Sequence, residues 1–209
     1  MLEEQFYIER ITHHMAMEVV VANHYLHRKA PCSWAFGMFD KSNHQLVGVV
    51  VYGVSPSSTL LRGICGDDEA KNVYELTRLW IDDSVPKNGE SWLIANTMAK
   101  TDREIIVSFA DSSQNHVGVV YQAANFIYTG LSSKFRDPKV RGLEHQHHAT
   151  YAHGMTNKEV AEKFGDRLYF VDRPRKHRYV YFATSKSRRK VLMRKLRYPV
   201  LPYPKAASE

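Results

Sequence analysis

From Tyr74 to Gly130 the chain alternates extended and helical patterns with short polar connections between them. The order is strand, tight polar loop, helix, strand, polar turn and aromatic-rich helix. It runs through YELTRLWIDDSVPKNGESWLIANTMAK and then EIIVSFADSSQNHVGVVYQAANFIYTG. A strand that empties into a helix N-terminus leaves free backbone N–H groups and a positive dipole end at its carboxyl edge, which suits a phosphate. The next strand ends in Asp111 and the helix after it carries Tyr121, so a carboxylate and a phenol flank that place. The pattern predicts an enzyme that moves a group from a nucleotide-like carrier.

The flanking sequence supplies the rest of an α/β domain. Residues 3–27 space Phe6, Ile8, Ile11, Met15, Val19, Ala22 and Leu26 close to a helical period, which predicts one helix ended by Pro31. Residues 33–40 and 45–54 read as a hairpin, and residues 55–70 as a loop rich in Ser, Gly and Asp. Strands follow at 72–81 and 104–110, with helices at 90–100 and 115–126. Residues 131–165 look irregular, apart from a helix that Thr156 and Glu159 would cap near 156–164. Residues 167–172 and 177–184 read as a second hairpin about Arg173-Pro174-Arg175-Lys176, and PVLPYPKAASE as a loose tail. The expected division is a core over 1–165 and a basic hairpin and tail over 166–209, packed on the same domain.

With 209 residues, 44% of them hydrophobic, the chain is long enough to bury a real core. No apolar run approaches the roughly 18 residues of a membrane helix, so no membrane partner is expected. The acidic start MLEEQFYIER argues against a secretory signal, and Cys32 and Cys65 form no CxxC pair, which predicts a reduced, intracellular protein. The charge is lopsided. Of the 29 Lys and Arg residues, 12 lie in residues 173–209 beside a single acid, Glu209. Such a cationic segment favours a phosphate backbone as partner.

Several residues are candidates for chemistry. Strict strand alternation puts Arg78 on one face with Tyr74, Leu76 and Trp80. There it either pairs with a carboxylate or borders a polar cleft. Asn88 and Ser91 are positioned to cap the helix after Val85-Pro86-Lys87-Asn88-Gly89-Glu90-Ser91. Asp111 can be a base, an acceptor for an amino group, or a helix cap, and Tyr121 either a core aromatic or a proton donor. The run Glu144-His145-Gln146-His147-His148, with His153, invites a metal, though divergent histidines on a loop serve poorly and the ligands stay unassigned. Arg173, Arg175, Lys176, Arg178, Arg188, Arg189, Lys190 and Arg194 interleave with Tyr179, Tyr181 and Phe182, the two ingredients of nucleic-acid binding.

The element order through Phe126 resembles the GNAT acyltransferase fold. More specifically, ELTRLWIDDSVPKNGESWLIA, SFAD and HVGVVYQAANFIYTG resemble the Mom DNA-modification proteins of bacteriophages, best over residues 33–130. The resemblance implies an α/β (α+β) fold, with a mixed, mostly antiparallel central sheet flanked by helices. It also implies conversion of adenine in phage DNA to an N6-carbamoylmethyl derivative that resists host restriction, in the cytoplasm of the infected bacterium. Arg78, Asp111 and Tyr121 match positions important for that activity, and Ser91 and Ser108 lie in matching motifs. The expected donor site runs along Leu79, Trp80 and Ile81 to Lys87, Asn88, Gly89 and Ser91. Its occupant would be acetyl-CoA or an aminoacylated carrier such as tRNA. Double-stranded DNA is the expected partner, and the protomer could pair as a homodimer. A general acyltransferase for proteins or small amines, and a non-catalytic DNA-binding protein, are the alternatives.

Overall fold

The β-branched run LVGVVVYG and the aromatic-rich strands around it build one large sheet. The computed structural model describes residues 1–144 and 148–205. In chain order its elements are α1 (Leu2–Gln5), β1 (Phe6–Arg10), α2 (His13–Asn23), β2 (Trp34–Asp40), β3 (Leu46–Gly53), α3 (Ser58–Cys65), β4 (Val73–Ile81), α4 (Gly89–Ala95), β5 (Ile105–Asp111), α5 (Val119–Ala123), β6 (Ile127–Leu131), β7 (Phe135–Val140), α6 (His148–Tyr151), α7 (Asn157–Phe164), β8 (Leu168–Arg173), β9 (Lys176–Phe182) and α8 (Lys186–Lys195). Seven strands form a sheet in the order β1-β2-β3-β4-β5-β9-β6, and β7 pairs with β8 in a separate ribbon. Within the large sheet only the β4–β5 pair is parallel. This is a mixed, mostly antiparallel sheet flanked by helices. Among the described residues no helix is long and apolar enough to cross a membrane.

Val49, Val50, Val51 and Tyr52 are fully buried, because β3 is covered on both faces. One face packs with Leu93, Ile94 and Tyr121 of α4 and α5. The other packs with Ala16, Met17 and Val20 of α2, while Ile64 of α3 and Leu192 of α8 pack with Val107 of β5 and Val180 of β9.

The order helix, hairpin, strand, loop and helix, strand, helix is present as expected, but five local expectations are corrected. The single helix over 3–27 is interrupted: Phe6–Arg10 is an edge strand on β2, and α2 begins only after Thr12, whose hydroxyl caps Met15 N–H at 3.2 Å. Phe6 and Ile8 fit a period of 2 as well as a helical one. The loop over 55–70 contains α3, capped by Ser57. The helix over 115–126 shrinks to α5, because a 3-10 turn at Ser112–Gln114 and Gly118 in the left-handed region precede it. The second hairpin does not form. β8 pairs with β7, while β9 inserts between β5 and β6, since Tyr179 and Val180 are buried and need neighbours on both edges. β9, within residues 166–209, is thus a strand of the same sheet as β5 and β6. The C-terminal segment is seated as well, with Leu201 N–H on Tyr128 O at 3.0 Å and the Tyr203 hydroxyl on Phe126 O at 2.7 Å.

Helix α8 is clamped by charge. Glu69 is 4% exposed and accepts from Arg188 and Lys195, each at 2.6 Å, and from Asn72 at 2.9 Å. Arg188 also holds Glu104 at 2.8 Å. The Arg188 guanidinium, against the opposing cost of burial, is the foremost cause that holds the Glu69 carboxyl at about 2. Arg188→Ala leaves the buried Glu69 carboxylate with Lys195 and Asn72 alone and is expected to cost about 2 kcal/mol of stability at neutral pH. The clamp's contribution is present above the ordinary carboxylate pKa and fades as pH falls toward 2. Urea denaturation of wild type and variant at pH 7 and pH 3 measures it, and the gap between them is expected to narrow at pH 3.

Candidate active site

Strands β4 and β5 pair only at Val73–Glu75 against Ile105–Val107, and then part. Beyond that point β4 keeps β3 on one side and β5 keeps β9, so each offers an unpaired backbone edge to the gap. A bulge aids the parting. Val51 faces Arg78 and Tyr52 faces Leu76, which leaves Thr77 as the extra residue of β4. The Thr77 hydroxyl is anchored on Pro31 O at 3.0 Å. The bulge corrects the strict alternation. Tyr74 and Leu76 share the α4–α5 face with Leu79 and Ile81, while Arg78 turns to the α2 face.

The gap is a cleft of about 550 Å³ whose walls include Arg78, Asp111 and Tyr121, together with Leu79, Trp80 and Ile81. Further titratable side chains line it to which sequence reasoning gave no cleft role, among them Glu75, Tyr25 and Lys176. The place of Glu75, where β4 leaves β5, depends on the pairing and is invisible in a local pattern. Tyr25 comes from the turn after α2, and stacks on His24 at 4.4 Å. Their polarity in a segment of mixed pattern was the available signal.

Each group has its own electrostatic setting. Burial alone would raise the Asp111 carboxyl, but the Ser113 hydroxyl at 2.7 Å, the Ser113 N–H at 3.0 Å and the Lys176 ammonium at 3.4 Å outweigh it and hold it below the usual range. Asp111 is thus also the cap of the following 3-10 turn. Burial raises Glu75, partly offset by the Ser55 hydroxyl, Lys176 and Arg78. Burial pushes the Tyr121 phenol up to about 12. The Ser108 hydroxyl opposes that shift, but its contact falls short of hydrogen-bond geometry, and the buried Ser108 Oγ has no partner among the described residues. Arg78 donates to Thr77 O at 2.6 Å and reaches Arg28 O and Lys29 O at 3.4 Å, while its buried Nε has no partner there. Burial, with Arg78 nearby, lowers His24 to about 4, so it is neutral at pH 7; Leu26 N–H at 3.1 Å occupies its Nδ1, leaving the proton on Nε2.

The loop after β4 is less suited to a pyrophosphate than the pattern suggested. Asn88 adopts a left-handed φ of 75° and makes no side-chain cap. Gly89 N–H is taken by Pro86 O at 3.2 Å, and Ser91 Oγ by Asn88 O at 3.1 Å. A Cβ on Gly89 would meet Val85 at 2.4 Å, so the glycine serves packing rather than a cradle. Of residues 82–91 only Lys87 is cationic, against Asp82, Asp83 and Glu90, and Glu90 itself lines the cleft. The expected contacts Lys87, Asn88, Gly89 and Ser91 are not among the residues that line the cleft, whereas Leu79, Trp80 and Ile81 are.

The basic segment also needs correction. Arg178 is buried, bonded to Thr129 and stacked on Tyr198, and so cannot meet a nucleic acid. Arg188 is committed to Glu69 and Glu104. Arg173 is paired with Asp137, Arg175 is bonded to Ser132 O, and Lys176 faces Asp111. Lys190 and Arg194 are exposed on α8, and Arg189 lies over Tyr181. For the metal reading, His145, Gln146 and His147 lie outside the described residues. Among the described residues no group of three His, Cys, Asp or Glu side chains is placed to hold a metal ion.

Gly118 fixes Tyr121. Its φ is +78°, and a Cβ there would meet the Tyr179 ring at 2.5 Å. Gly118→Ala is therefore expected to cost about 2 kcal/mol and to displace α5. Thermal melting checks the first, and tyrosine absorbance titration the second, with the high-pKa phenol shifting toward 10.

Comparison with known proteins adds the following. The model of the Mom protein family matches residues 5–205. The methylcarbamoylase mom of Escherichia phage Mu is 28% identical over 215 residues, which cover 95% of this chain and 83% of that protein. Among solved structures, spermidine/spermine N-acetyltransferase from Vibrio cholerae superposes with a TM-score of 0.47 at 9% identity, covering 90% of this chain and 99% of the other. A Bacillus subtilis acetyltransferase in complex with CoA gives 0.43 at 13% identity, covering 85% and 97%.

Proposed function

Since the chain belongs to the Mom protein family, we propose that it is a phage enzyme that converts adenine in double-stranded DNA to the N6-carbamoylmethyl derivative. The observation that carries the reading is the cleft between the parted ends of β4 and β5, with Arg78, Asp111 and Tyr121 on its walls. The relative named a methylcarbamoylase supports the group transferred. The modification would act in the cytoplasm of the infected bacterium and shield the DNA from restriction.

Adenine N6 is stacked and paired in a duplex, so the base must be turned out to enter the cleft. Asp111, held ionised by Ser113 and Lys176, accepts from the amino group and orients it. A carboxylate with a lowered pKa is a weak base. Glu75, raised by burial, is better matched to take the proton. Arg78 supports negative charge that develops in the gap. Tyr121 stays protonated and serves the leaving group, with Ser108 behind it. The acidic loop favours an aminoacylated carrier such as tRNA over acetyl-CoA, whose acetyl group also lacks the nitrogen that the carbamoylmethyl group contains. Lys190, Arg194 and Arg189 would meet the DNA backbone.

Mass spectrometry of nucleosides from plasmid DNA after expression tests the reading. A carbamoylmethyl adenine is the expected product. Unmodified DNA with an acylated protein or small amine would favour a general acyltransferase, and bound but unmodified DNA a non-catalytic binder. Asp111→Asn and Tyr121→Phe are each expected to lower modification at least a hundredfold while DNA binding persists. With Glu75 as base, the rate rises with pH as its carboxyl ionises, and Glu75→Gln is expected to remove that rising limb.

A further inference from the structure

The β7–β8 ribbon stands outside the seven-stranded sheet, yet its root lies at the cleft. Ser132 N–H bonds Lys176 O at 2.8 Å and Lys176 N–H bonds Ser132 Oγ at 2.9 Å, while the Lys176 ammonium reaches Asp111. Arg173, three residues before Lys176, pairs with Phe135, which places the Phe135 backbone within roughly 15 Å of Lys176 by chain reach. The far end is held by its own small core, where Val140 packs with Tyr151, Val160, Phe164 and Leu168. The ribbon is thus anchored at both ends.

It exposes two aromatic rings. Phe135 is 55% exposed and Phe170 49%, on opposite faces of the ribbon. Each carries a guanidinium: Arg173 lies 5.0 Å from the Phe135 ring and Arg136 lies 5.4 Å from Phe170. Residues 132–141 and 167–176 hold eight Lys or Arg against two Asp. Exposed aromatics amid excess positive charge complement a duplex, whose phosphates take the cations and whose base steps admit an apolar wedge. A two-stranded ribbon also has the width of a DNA groove.

Resting on the adenine-modification reading, we propose that this ribbon opens the duplex, with Phe135 entering the stack in place of the adenine extruded into the cleft. Lys134, exposed beside it, then lies against a flanking phosphate. Extrusion leaves a gap whose neighbours have lost stacking, and a ring at the rim fills it. The wedge is needed most where the base is paired, and least where pairing is already lost.

The test uses full-length protein and duplex oligonucleotides copied from modified plasmid sites, with the adenine opposite either thymine or an abasic position. Phe135→Ala is expected to slow modification of the paired adenine about tenfold or more, and that of the adenine opposite the abasic position far less, with Phe135→Trp restoring the paired rate. Equal loss on both substrates, or no loss on the paired one, would overturn the wedge. If wild-type protein modifies neither, the adenine-modification reading itself fails and the wedge with it. Phe135 is exposed, so the variant is expected to melt as wild type does.

Discussion

Strands β4 and β5 lie side by side in the middle of the sheet yet hold each other for only three residues. Everything chemical about the molecule follows from that brief contact. A sheet that stayed zipped would bury Leu76–Ile81 and Ser108–Asp111 as ordinary core. The parted strands instead leave two unpaired backbone edges and a space between them, which the fold must fill with ligand or water, because buried amides do not go unsatisfied. The Thr77 bulge, fastened to Pro31, bends β4 away and rotates Arg78 to the α2 side. On the other side Gly118 lets the Tyr179 ring press against the start of α5, which points Tyr121 inward.

The cationic C-terminal segment turns out to be divided between architecture and surface. Arg178, Arg188 and Lys195 are committed to Thr129, Glu69, Glu104 and Asp68. Charge that looks uniform in sequence thereby becomes several internal clamps and a smaller exposed set on α8 and the ribbon. A count of Lys and Arg cannot separate the two uses, because the partners lie far away in the chain; Arg188 and Glu69 are 119 positions apart.

Sequence alone made a good part of this legible. The strands around Val50 and Ile106 and the helix capped by Thr156 have strong local signals, and so did the approximate place of the cleft at the ends of β4 and β5. What failed depended on contacts distant in sequence. Phe6–Arg10 is a strand because β2 offers it an edge. The bulge at Thr77 exists only relative to β3, so alternation assigned Arg78 to the wrong face. β9 was legible as a strand but not as a central one, since its partners β5 and β6 precede it by dozens of residues. Within the cleft, Arg78, Asp111 and Tyr121 were singled out by chemical character, whereas Glu75 acquired its character from burial.

The central claim is that these groups share one cleft, and Lys176 links two of them. Its ammonium lowers both Asp111 and Glu75, which lie on different strands. Carbon-13 NMR titration of side-chain carboxyls in wild type and in Lys176→Met measures this directly. Both resonances are predicted to titrate at higher pH in the variant, with Glu75 remaining the higher of the two. A variant in which neither carboxyl moves, or only one does, would contradict the shared cleft.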